Sequence, residues 1–148
     1  MDEELIFVFG MVLAFGVIGY LFLFGGGSGM NLTAQQIASY ASAAGFAGQD
    51  LVTAVAIALA ESVPSGNPNS HGDTNLGSGT GSFGLWQIYS DAHPEYGPDF
   101  TRLYDPQTNA DAAFAIYQAA GNSFRPWSTF TSGKYTAYVD VATQGVNA

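Results

Sequence analysis

Glu61 is the residue whose setting points most clearly to acid–base chemistry. It follows an apolar run over residues 54–60 and precedes a polar loop. In a helix, the positions three, four and seven residues earlier share its face, and these are Ala58, Ile57 and Ala54. A carboxyl group on that face loses water, and desolvation disfavours its charged form. A raised pKa suits a general acid working near neutral pH. Position alone leaves a second reading open, a helix-end Glu that turns into solvent. The other titratable residues carry less. His71 and His93 lack a metal-ligand pattern and read as loop histidines. Asp73, Asp91 and Glu95 read as solvated loop acids. The chain has no cysteine, so it has neither a disulfide framework nor a thiolate metal site. Gly79, Gly81 and Gly84 match the dinucleotide fingerprint by spacing, yet no hydrophobic strand precedes them. No phosphate-binding loop or nucleophile elbow is present. We therefore expect no cofactor and no metal.

Downstream text adds to Glu61. Glu61-Ser62 is followed by Ser82-Phe83-Gly84-Leu85-Trp86-Gln87-Ile88, then by Asp105-Pro106-Gln107-Thr108-Asn109-Ala110 with Ala112-Ala113, then by Pro126-Trp127-Ser128 and Tyr135. This order, over roughly residues 32–138, resembles the lysozyme-like superfamily, specifically soluble lytic transglycosylase and goose-type lysozyme domains. The resemblance implies a peptidoglycan-cleaving enzyme in which Glu61 is the catalytic acid and base. It implies that Ser62 supports the helix end and that Gln87 hydrogen-bonds sugar near the scissile bond. Ser82, Trp86 and Tyr135 complete the implied substrate contacts, with Trp86 either core or sugar platform and Tyr135 near Glu61. On pattern alone, Gln87 also fits a polar position on an exposed strand. The chain departs from the family where an Ala-Tyr-Asn-Ala-Gly segment is common, since residues 119–127 read AAGNSFRPW. Pro-Trp-Ser endings look like phage and secreted members.

Glycoside hydrolysis usually needs two carboxyl groups, whereas a lytic transglycosylase needs one. Only Glu61 has the apolar setting, and together with the resemblance this implies transglycosylation at the MurNAc–GlcNAc β-1,4 bond. The rival is a goose-type-like muramidase in which Asp73, 12 residues on, helps position water. A non-enzymatic alternative is a membrane-bound structural virion protein with an inactive lysozyme-like domain.

Local signals outline the elements that must hold these residues. Thr33 caps a helix that ends at Ala44, with Gly45 as its stop. Leu32, Ile37, Tyr40 and Ala41 supply its apolar stripe. Residues 49–62 form a second helix, apolar nearly all round and hence central and buried. Residues 63–81 form a long loop rich in Pro, Gly, Asn and Ser. Residues 83–88 form a strand or a helical turn. Asp105 caps and Pro106 starts a helix that ends at Ala120 before Gly121. A last helix covers residues 134–143. The fold class is mostly α, an α+β lysozyme-like domain with a short β or irregular segment, preceded by one transmembrane helix.

That helix is residues 5–24, LIFVFGMVLAFGVIGYLFLF, an uncharged run. At about 1.5 Å per residue it spans about 30 Å, a bilayer core. A signal peptide is disfavoured, because Asp2, Glu3 and Glu4 replace the basic n-region and no A-x-A site follows. The expected division is an anchor over 1–24, a Gly/Ser-rich linker over 25–30 and a lysozyme-like domain over 31–148. Net charge is −9, with Arg102, Arg125 and Lys134 as the three basic residues, so nucleic acid is excluded as a partner. The expected partners are peptidoglycan glycan strands and the bilayer, with membrane or capsid proteins as neighbours. Single-pass placement in a virion internal membrane or a bacterial inner membrane follows, with the domain facing peptidoglycan.

Overall fold

A computed structural model describes residues 30–148 apart from 77 and 78. The apolar run over 5–24 and the glycine-rich stretch after it lie outside the described residues. Among the described residues no helix is long and apolar enough to cross a membrane.

Helix α1, Ala34–Ala44, starts at a reciprocal cap. The Gln36 amide donates to the Thr33 hydroxyl at 3.3 Å, and the Thr33 amide donates to Gln36 Oε1 at 2.9 Å. It ends at Gly45, whose φ of +126° and close approach to the Phe114 ring leave no room for a Cβ. Helix α2, Gly48–Glu61, buries Val52 and every residue from Ala54 to Leu59. Its alanines let neighbours approach closely, and α1 and the C-terminal elements pack around it. Helix α3, Pro106–Ala119, starts where Asp105 accepts from the Thr108 amide at 2.8 Å. Helix α4, Ser128–Thr131, is a single turn. A 3-10 turn at Lys134–Tyr138 then leads into helix α5, Val139–Val146. The expected helix over 134–143 is thus a tight turn and a later helix, because Gly133, in the left-handed region at φ +78°, starts the segment as 3-10.

Three short antiparallel strands stand beside the helices in the order β1 (His71–Gly72), β2 (Ser82–Phe83), β3 (Ile88–Tyr89). His71 faces Phe83, and Phe83 faces Ile88. The 83–88 segment is therefore a strand end, a tight turn and the start of the next strand. Its turn is pinned from α3. The buried Asn109 accepts from the Trp86 amide at 2.8 Å and donates to the Phe83 carbonyl at 2.9 Å. Gly84, at φ +78°, lies so close to Asn109 and the Leu103 carbonyl that any side chain would collide.

The 63–81 loop is more ordered than its composition predicts. It carries β1 and a 3-10 turn at Thr74–Leu76. Side-chain hydroxyls tie it to the end of α2: Ser62 accepts from the Gly66 amide at 2.8 Å, Ser70 accepts from the Val63 amide at 3.0 Å, and Ser65 donates to the Leu59 carbonyl at 2.8 Å. Further 3-10 turns at Pro94–Tyr96 and Phe100–Tyr104 bridge from β3 to α3.

Candidate active site

A cleft of about 520 Å³ runs past the C-terminal end of α2. Glu61, Asp73, Ser82 and Gln87 line it, with Tyr89 at the end of β3, His93 beyond it, and the Pro126-Trp127-Ser128 segment that leads into α4.

Glu61 is the last residue of α2 and is half-buried. Its Oε1 accepts a hydrogen bond from the Thr129 hydroxyl at 2.8 Å. Burial pushes its pKa above the ordinary carboxyl value, and the negative charge of Asp73 pushes the same way. The Thr129 hydroxyl and amide, and more weakly the Lys134 ammonium, pull it back. The alternative of a helix-end Glu turned into solvent therefore gives way to a recessed carboxyl, held at one oxygen. Ser62 acts where the resemblance implied. Its hydroxyl donates to the Ala58 carbonyl at 2.7 Å and accepts from Gly66, closing the helix end.

Gln87 sits in the turn before β3 with φ +47°. Its amide nitrogen donates to the Ser70 carbonyl at 3.0 Å and to the Gly84 carbonyl at 2.8 Å. Both donors are used, so Oε1 is the group left for a ligand. That oxygen lies over Gly72, where a Cβ would stand 2.5 Å from it. Ser82 is buried in the cleft wall, and its hydroxyl donates to Asp73 Oδ2 at 2.8 Å. It therefore acts on Asp73. Asp73 itself is exposed, at φ +55°, and lines the cleft with Glu61. Asp73 thus lies in the cleft, as the muramidase alternative requires, while Glu61 alone of the two is recessed.

The sugar-platform reading of Trp86 is corrected. Trp86 is fully buried, its indole N–H donates to the Ala54 carbonyl at 3.0 Å, and its own carbonyl accepts from the Trp127 indole at 2.8 Å. It is core between α2 and Trp127, and offers no face to a sugar. Tyr135 packs its ring on Phe130, with centroids 5.1 Å apart, in the turn that packs against α2. The hydroxyl that reaches Glu61 belongs to Thr129.

Sequence reasoning missed Thr129, Tyr89 and His93. Thr129 directly follows the Pro-Trp-Ser segment that the resemblance used, which was the available signal. His93 is held by Glu95, with Nδ1 at 3.1 Å from Oε1. Among the described residues no group of three or more His, Asp and Glu side chains is arranged to hold a metal ion.

The arrangement can deliver a proton. A carboxyl whose neutral form is favoured by burial faces a groove lined by hydrogen-bonding groups and by the edge of Trp127, as an extended polar chain such as a glycan requires. A family model described as a lysozyme-like domain matches residues 38–129. No curated protein and no solved structure gives a significant match. The matched segment runs from within α1 to Thr129 and takes in Glu61 and the whole sheet, and the chain belongs to the lysozyme-like domain family.

Proposed function

We propose that the protein is a membrane-anchored lytic transglycosylase of peptidoglycan, with Glu61 as its single proton-transfer group. Family membership supports the general activity, a glycan-cleaving enzyme of the cell wall. The observation that carries the finer reading is the contrast between the two cleft carboxyls. Glu61 is recessed, with a raised pKa, while Asp73 is exposed with one oxygen engaged by Ser82. Glu61 would give its proton to the glycosidic oxygen as the C1–O bond of the muramyl residue breaks. The muramyl 6-hydroxyl would then attack C1 and return its proton to Glu61, closing a 1,6-anhydro ring. Gln87 Oε1 would accept from a sugar hydroxyl. The apolar run over residues 5–24 would hold the domain beside a bilayer, in a phage virion or a bacterial inner membrane, for local opening of the wall.

Asp73 favours a second reading. A second carboxylate in the same cleft suits a muramidase, in which Asp73 directs water to C1 in place of the 6-hydroxyl. Mass spectrometry of digested peptidoglycan separates the two. Anhydro-muropeptides are expected, and exclusively hydrated reducing ends would replace transglycosylation by hydrolysis.

A further inference from the structure

We infer that Thr129 is a positioning residue that assigns the two oxygens of Glu61 different tasks: Oε1 is anchored, and Oε2 carries the proton that is delivered and taken back. The inference rests on the reading of Glu61 as the acid.

The argument starts from the hydroxyl. Thr129 is buried at the second position of α4, and its Oγ1 donates to Glu61 Oε1 at 2.8 Å. Among the described residues that oxygen is the acceptor its hydrogen uses. A hydroxyl has one proton to give. Were Glu61 protonated on Oε1, that oxygen would become the carboxyl's hydroxyl, a weaker acceptor for Thr129 than the carbonyl-like oxygen. Protonation at Oε2 leaves the bond intact, with Thr129 donating to the carbonyl-like Oε1. The same bond persists when Glu61 is ionised, so the carboxyl keeps one orientation through both halves of the reaction. Among the described residues no buried side-chain oxygen lacks a hydrogen-bond partner, and the side-chain hydrogen bond to Glu61 falls on Oε1, so Oε2 is not shut away from solvent. Proton delivery and return from a fixed atom avoid a rotation of the carboxyl between the two steps.

The charged groups around Glu61 do not supply this selection. Asp73, across the cleft, and Lys134, on the turn after α4, act on the carboxyl as a whole and with opposite sign. His93 lines the far side. Among the described residues, Thr129 is the one whose side chain bonds to Glu61, at Oε1.

The test uses the full chain as parent, T129V and T129S, with two readouts. Carboxyl carbon NMR follows the ionisation of Glu61, and the pH profile of kcat follows turnover on peptidoglycan. Loss of the donor removes a bond that favours the ionised form, so T129V should titrate at higher pH than the parent, and the alkaline limb of its rate profile should move the same way. Its kcat should fall about ten- to a hundred-fold, with KM little changed. T129S keeps the donor and should keep both the parent titration and most of the rate. A T129V chain with the parent's titration and limb would overturn the inference, as would T129S failing as badly as T129V. Should T129V not fold, T129A removes the same donor and is judged by the same two outcomes. Parent-level cutting by E61Q would instead remove the proposed function, while the NMR titration would still report whether Thr129 governs Glu61.

Discussion

Burial holds the proton of Glu61 more tightly in the folded chain than in the unfolded one. Between the unfolded and folded pKa values the native state binds more protons, so stability is highest below that window and falls as pH rises through it. The Glu61 carboxyl is thus a standing cost at neutral pH. E61Q removes the charge while keeping an acceptor for Thr129, and should melt a few degrees above the parent at about pH 7.5. The gap should close below about pH 4, where both states of the parent are protonated. Differential scanning calorimetry across that range checks both points. Activity follows the opposite logic on the alkaline side: the acid form is lost as pH rises through the raised pKa, so the rate should fall there. Asp73 makes a separate prediction. If water is not the nucleophile, D73N should leave the ratio of anhydro to hydrated products unchanged and lower the overall rate less than ten-fold.

At the scale of elements, the cleft depends on α3 holding the β2–β3 turn. Asn109 makes both bonds, and N109A would take from the buried Trp86 amide and the Phe83 carbonyl the side-chain partner they share. Its cost should be about 3 kcal/mol, read from urea unfolding, with loss of activity through displacement of Gln87. Helix ends were legible from sequence because their signals are local: Thr33 and Gln36, Asp105 and Pro106, Gly45 and Gly121 lie within one turn of the ends they set. Glu61 was legible for the same reason, since its apolar face is made by its own helix. The contacts that decide the rest are distant in sequence. Thr129 and Glu61 are 68 residues apart, so the bond between them has no local trace. Trp86 became core rather than platform because the Ala54 carbonyl, 32 residues earlier, takes its indole proton. Asp73 is exposed, as a loop acid should be, and its place in the cleft is set by Ser82, nine residues on, which loop composition does not express.

For the whole molecule, charge sets the mode of approach. Residues 31–148 carry nine of the chain's 12 acids against all three of its bases. Both carboxyls in the cleft add to that field, so an anionic wall polymer is repelled rather than steered. The domain must gain its substrate through hydrogen bonds and close contact, and local tethering would offset the weak encounter. Raising salt from about 10 mM to about 150 mM shrinks the Debye length to about 8 Å and should speed digestion of intact wall two- to ten-fold. Short uncharged glycan fragments should show little change. Turbidity clearing and fragment release compare the two. The proposed anchor predicts that the full chain floats with phosphatidylcholine vesicles, while a chain beginning at Asn31 stays in solution and still cuts isolated peptidoglycan.

The proposed chemistry depends on Glu61 as the proton donor. The most direct measurement is the release of muropeptides from purified peptidoglycan by parent and E61Q, at matched concentration near neutral pH and quantified by mass spectrometry. The account predicts anhydro-muropeptides from the parent and a loss of at least about a hundred-fold in E61Q. Equal release by the two chains would contradict it.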